Sequence, residues 1–177
     1  CPGAIVETTA PAGGGGDNNT AFGGGRGGQG RVQARMFADE GAAVVLGDVV
    51  EAPGKLAAAE IRERGGEALF LKLDVVAAAS WEQAIRRVRR THGRLDVLVN
   101  NAGVVSRTSV RTIPLSEWQR VIDINLTGPV LGIQAAAPLM RDSGGGAIVN
   151  ISFTARLLGH PGVGYAASKW GGTAGDQ

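Results

Sequence analysis

One cysteine, Cys1, and one tyrosine, Tyr165, are all that the 177 residues contain of either type. A single cysteine excludes an intramolecular disulfide, so a reducing compartment is the default. Charge of one sign is also missing: 18 Lys and Arg face 16 Asp and Glu, a net charge of +2. Such a balance does not call for an anionic polymer, and nucleic acid is not an expected partner. No apolar run approaches the roughly 20 residues that cross a bilayer, and no signal-peptide pattern precedes the fold. A membrane is therefore not expected as a partner, and the cytoplasm is the expected location. His92 and His160 stand apart from one another, and no His/Cys/carboxylate cluster has metal-ligand spacing, so no metal site is expected.

The chain has ample alternation of apolar runs with helix-like stretches. Ala43–Gly47, Ala68–Leu73, Leu95–Val99 and Ala147–Ile151 read as buried parallel strands, with helical patterns between them. That order predicts an α/β fold, a doubly wound parallel sheet with helices on both faces. Expected helices include Arg31–Glu40, with Val32, Met36 and Phe37 on its apolar face and Gly41 as its stop, and Lys55–Arg64, closed by Gly65-Gly66. A third helix ends near His92, with Trp81, Ala84, Ile85 and Val88 inward, so Arg86, Arg87, Arg89 and Arg90 form a solvated face. Ser80 with Gln83, and Ser116 with Gln119, have the spacing of capping boxes. The helix after Ser116 carries a broad apolar surface, Trp118, Val121, Ile122, Leu126, Val130, Leu131 and Ile133. Gly128-Pro129 is expected to kink it and Pro138 to bend or end it before the turn Ser143–Gly146.

Four groups of residues carry chemistry. Gly24-Gly25-Arg26-Gly27-Gly28-Gln29-Gly30 precedes the first helix, and glycines there let a backbone turn tightly and approach a pyrophosphate resting on the helix N-terminus. About twenty residues on, Asp48 closes a strand, a position suited to accepting hydrogen bonds from the adenosine ribose hydroxyls of NAD and to repelling the ribose phosphate of NADP. Asn100-Asn101-Ala102-Gly103 breaks a third strand, where asparagines fix a strand end beside a ligand. Tyr165 and Lys169, one helical turn apart, share a face, so the ammonium can stabilise a phenolate. A flexible linker and ordinary turns are the competing readings of the first three groups taken singly.

Taken in this order, Gly24 to Trp170 resembles the short-chain dehydrogenase/reductase family, particularly its NAD-dependent hydroxysteroid dehydrogenase-like members. The resemblance implies a Rossmann-type, three-layer α/β/α domain that transfers a hydride between NAD and a small-molecule secondary alcohol or ketone. It assigns Tyr165 as acid/base, Lys169 as its activator and ribose contact, Ser152 as the partner of the substrate oxygen, and Asn125 as holder of a water linking the lysine to solvent. Cofactor contacts implied are Gly24, Arg26, Gly28, Gln29, Gly30, Asp48, Asp74, Val75, Asn101, Ala102, Gly103, Tyr165 and Lys169, with Asp74 beside the adenine. A homo-oligomer through the helix around residues 116–137 is a further implication.

The chain departs from that pattern at three places. No apolar strand leads directly into the glycines, so residues 1–19 are expected to be a low-complexity or disordered segment and residues 20–177 the domain. Either Thr20–Phe22 forms a short first strand or that position is poorly filled, because Ala4-Ile5-Val6 lies far upstream. Counting back from Tyr165 selects Ser152, whereas aligning from Ile148–Ile151 puts Phe153 in the serine's place. The sequence starts without methionine and stops soon after Lys169, as in a fragment whose sheet is incomplete at its C-terminal edge. Two other readings stay open: a non-catalytic NAD-binding remnant or gene fragment, and a scaffold subunit that assembles with a full-length homologue.

Overall fold

The computed structural model describes residues 3–7, 28–154 and 160–172. Five parallel strands form one sheet in the order β3-β2-β1-β4-β5, where β1 is Gly3–Glu7, β2 Ala43–Asp48, β3 Glu67–Lys72, β4 Val97–Asn100 and β5 Ala147–Asn150. The helices are α1 (Gln29–Asp39), α2 (Glu51–Glu63), α3 (Ala78–His92), α4 (Leu115–Ile122), α5 (Gly128–Asp142) and α6 (Val163–Gly171). Chain order runs outward from β1 to β3 and then returns to the other side of β1 with β4. Parallel sheets open a ligand crevice where that reversal occurs, beyond the carboxyl ends of the strands.

The central strand corrects the expected domain boundary. Gly3–Glu7, inside the stretch expected to be low-complexity, pairs with both β2 and β4. Its sequence explains this: a central strand is covered on both faces and needs consecutive apolar residues, which Ala4-Ile5-Val6 supplies. Asp96 fixes its start, with Oδ2 accepting the Gly3 N–H at 2.7 Å while the Asp96 N–H donates to the Gly3 carbonyl at 2.9 Å. Thr20–Phe22 lies outside the described residues.

Alternation along the strands sorts side chains into two cores. Val45 and Leu98 point to one face, where they meet Trp81, Ala84 and Val88 of α3 and Ala136, Leu139 and Met140 of α5. Val44, Leu46 and Val99 point to the other, against Ala34 of α1 and Ala57, Ala58 and Ile61 of α2. The inward face of α1 is therefore Gly30 and Ala34, with Phe37 packed alongside; Val32 and Met36, expected inward, are 40% and 61% exposed. Small residues thus face the sheet from α1. On α3 the expected division holds: Trp81 and Val88 are buried and the arginines lie in solvent. β5 is the outer strand, with Ile148 38% and Val149 40% exposed.

Helix starts differ from the capping-box expectation. α3 begins at Ala78, so Ser80 sits inside its first turn and its Oγ accepts the Asp74 N–H at 3.0 Å instead. α4 begins at Leu115 after Pro114, and Gln119 donates to Asp123 Oδ1 at 2.8 Å. Between α4 and α5 one π-helical turn, Asp123–Thr127, stands where a kink was expected, and Pro129 is the second residue of α5, directly after that turn. The helix also continues through Pro138 to Asp142: Pro138 lies on the exposed side, where water can satisfy the carbonyl it leaves unpaired.

Candidate active site

Tyr165 is set by the packing of α6 on α4. Gly164 leaves room for Ile113, Trp118 and Val121, all 3.5–3.7 Å from where its Cβ would stand, and Val121 clusters with Tyr165 and Val104. Trp118 and Val121, expected to contribute to a subunit interface, are thus used within the chain to seat the tyrosine. Tyr165 is 7% and Lys169 8% exposed, and the ammonium lies 5.7 Å from the centre of the phenol ring. Lys169 Nζ also donates to the Ile151 carbonyl at 2.9 Å. Burial pushes the Tyr165 hydroxyl above its ordinary pKa and the Lys169 ammonium below its own. Burial therefore works against ionisation of both groups, and the Lys169 ammonium has to overcome it to stabilise a phenolate.

The π-turn explains Asn125. The inserted residue turns this side chain inward, where Oδ1 accepts the Val104 N–H at 2.8 Å and Nδ2 donates to the Val104 carbonyl at 2.9 Å and to Ser168 Oγ at 3.0 Å. Ser168 in turn donates to the Tyr165 carbonyl at 2.8 Å. The Asn125 side chain is a clasp between the end of β4 and α6. Gly103 passes so close that a Cβ would stand 3.4 Å from Asn125 Oδ1 and 3.7 Å from Lys169 Nζ. Asn100, the first residue of the Asn100–Gly103 strand end, joins β4 to β5 by donating its Nδ2–H to Oδ1 of Asn150, a residue absent from the expected set, at 2.8 Å.

The two candidates for the serine position separate. Ser152 Oγ is buried and has no hydrogen-bond partner among the described residues; the residue lines a crevice of about 70 Å³ with Asn125, Ser168 and Lys169. Phe153 instead flanks the tyrosine, its ring 6.0 Å away and tilted by 54°. The His160 ring lies 5.0 Å from the Tyr165 ring, a neighbour that nothing in the sequence spacing pointed to.

The remaining expected residues gather at the carboxyl ends of the strands. Gly28 precedes α1 with no side chain capping the helix, Gln29 is exposed, and Gly30 is buried; Gly24 and Arg26 lie outside the described residues. Asp48 is 5% exposed and Oδ1 accepts the Val50 N–H at 2.9 Å. Asp74 is exposed and accepts the Val76 N–H at 3.1 Å. The Val75 side chain is buried in the core under Gly128, and its carbonyl accepts the Trp81 indole N–H at 3.0 Å. Asn101 is buried, with Ala102 and Gly103 half-buried beyond it. Among the described residues no three His, Cys, Asp or Glu side chains group to hold a metal ion, and no helix is long and apolar enough to cross a membrane.

The profile described as short chain dehydrogenase matches residues 20–174. The chain belongs to the short-chain dehydrogenase family. Its match begins after β1, so the structure supplies the one strand that the family comparison does not reach. Among relatives, 2,5-dichloro-2,5-cyclohexadiene-1,4-diol dehydrogenase LinX of Sphingobium indicum is 42% identical over 147 residues, covering 82% of this chain and 59% of its own length. The 3-alpha-(or 20-beta)-hydroxysteroid dehydrogenase of Mycobacterium tuberculosis is 40% identical over 148 residues, covering 83% and 56%. The chain thus spans less than two thirds of the length of these relatives. A metagenomic short-chain oxidoreductase solved in complex with NADP superimposes with a TM-score of 0.82 at 32% identity, over 98% of this chain and 72% of that one.

Proposed function

We propose that this chain carries the cofactor cleft and proton-transfer groups of an NAD-dependent oxidoreductase acting on a secondary alcohol or ketone borne on a ring. The observation that carries the reading is the pairing of Tyr165 with Lys169, both under 10% exposed, with the ammonium 5.7 Å from the ring centre and beside the end of β4. The names of the two relatives, one acting on a cyclohexadiene diol and one on hydroxysteroids, support the substrate class.

The residues present fit a nicotinamide dinucleotide. The uncapped first turn of α1 offers backbone N–H groups to a pyrophosphate, and the buried Asp48 carboxylate offers acceptors to ribose hydroxyls while repelling a ribose phosphate, which favours NAD. When bound, the oxidised nicotinamide supplies the hydride acceptor and a positive charge. In oxidation Tyr165, as the phenolate that Lys169 stabilises electrostatically, takes the substrate hydroxyl proton. Ser152, expected to hydrogen-bond the substrate oxygen, has its Oγ shielded, and Phe153 offers no donor in its place. That arrangement favours one second reading, in which the chain binds NAD without turning over.

Purified chain with NAD and a panel of cyclic secondary alcohols should generate NADH, and Tyr165→Phe should abolish this while calorimetric NAD affinity stays within about threefold. NAD binding with wild type and Tyr165→Phe equally inert would establish the second reading. Failure of the wild-type chain to bind NAD defeats both.

A further inference from the structure

We propose that His160 donates a hydrogen bond to the substrate oxygen beside Tyr165, the position that the shielded Ser152 and the apolar Phe153 leave without a donor. The inference rests on the oxidoreductase reading and names a residue that reading does not use.

The geometry begins with the tautomer. His160 Nδ1 lies 3.0 Å from the Gly162 N–H and 3.4 Å from the Gly162 carbonyl oxygen; the shorter contact comes from a group that can only donate, which assigns Nδ1 as the acceptor. The neutral ring then carries its proton on Nε2, which has no hydrogen-bond partner among the described residues. The ring is half-buried and 5.0 Å from the Tyr165 ring. The ring that carries this N–H thus stands beside the tyrosine ring, tilted by 54°, with its other nitrogen anchored.

The anchor is rigid. A Cβ on Gly162 would stand 1.7 Å from the Ser106 carbonyl oxygen, so the two backbones touch and Gly162 has no freedom to move inward. Ser106 and Thr108 are in turn tied to the Glu117 carboxylate, at 2.6 and 2.7 Å. A donor held by the fold stabilises charge developing on an oxygen without reorganising when the charge appears. The other candidates around Tyr165 are bonded elsewhere or buried. Lys169 Nζ binds the Ile151 carbonyl, Asn125 binds Val104 and Ser168, and Ser152 Oγ is enclosed.

His160 keeps its proton throughout. In oxidation the hydroxyl O–H bond breaks toward Tyr165 and the C–H bond breaks as hydride toward the oxidised nicotinamide, leaving a C=O whose oxygen accepts the Nε2–H bond. In reduction the same bond polarises the carbonyl while hydride arrives and Tyr165 returns the proton.

The test uses His160→Leu and His160→Gln in the whole chain. Leucine should lower kcat about a hundredfold with NAD affinity intact, and glutamine, whose amide N–H reaches a similar place, should recover at least about tenfold of that. His160→Leu within about threefold of wild type, or equal losses for both variants, overturns the proposal. Nitrogen-15 spectra of the imidazoles, assigned by loss of one set of signals in His160→Leu, give a readout that does not need turnover. An Nε2–H tautomer whose resonance shifts when cyclohexanone is added with NADH is expected; an Nδ1–H tautomer, or no shift on adding the ketone, refutes the donor role even if the wild-type chain proves inactive. Absence of turnover together with that shift would defeat the activity reading and leave the donor assignment standing.

Discussion

Tyr165 is the only tyrosine in the chain, so the near-ultraviolet tyrosinate band titrates one group and reports directly on the proposed acid/base. A base working near neutrality needs its pKa lowered by about 3 units from the ordinary 10.0, which is about 4 kcal/mol. A full charge on Lys169 at the 5.7 Å separation from the ring centre contributes about 3 kcal/mol at an effective dielectric constant of about 20, or roughly 2 units. Burial acts in the opposite direction on the phenol, and it also lowers the lysine's own pKa, so the attraction fades as alkali removes its proton. The lysine therefore falls short, and a second cation must complete the shift. In an alkaline titration the free chain should show its midpoint above 10.0. Saturating oxidised NAD should lower it by more than about one unit, NADH should not, and Lys169→Met should raise it in the NAD complex. A free chain that titrates below 10.0, or a midpoint indifferent to NAD, would refute the reasoning.

Two further outcomes test the supports of the site. Gly162→Ala drives a Cβ against a backbone carbonyl that has no rotamer to escape into, so urea denaturation should show a loss of about 1–3 kcal/mol or more; a change under about 0.5 kcal/mol would mean the 106 and 162 segments do not touch. The Glu117 carboxyl is held below its ordinary 4.5 by hydrogen bonds from Ser106 and then Thr108. With the folded value below the unfolded one, its stabilisation is complete above about pH 4.5 and is lost as pH falls through the folded value. Melting temperatures of wild type and Glu117→Gln should converge on acidification, and a constant gap down to the acid limit would contradict this.

Much of the architecture was legible in local pattern. Runs such as Ala43–Asp48 are too apolar and too short to be anything but buried strands, and Trp81, Ala84 and Val88 recur at helical spacing, so both elements and their inward faces followed. The first strand, Gly3–Glu7, was not legible by its distance from the glycines; its signal is the apolar run Ala4-Ile5-Val6, which suits a strand paired on both edges. The capping boxes failed because a serine–glutamine spacing names a helix start without fixing it, and both helices begin earlier. Val32 and Met36 are hydrophobic yet exposed, because α1 turns Gly30 and Ala34 to the sheet with Phe37 packed alongside.

By itself the sequence determined the parallel α/β order and the pairing of Tyr165 with Lys169, because strand alternation and a one-turn helical spacing are local geometry written in residue type. Which groups stand around that pair was decided only by the tertiary structure. The π-turn rotates Asn125 onto Val104, the end of β5 encloses Ser152 and presents Phe153, and contact between Gly162 and Ser106 brings His160 to the tyrosine. Each of these depends on distances between segments remote along the chain, and no periodicity within one segment encodes them.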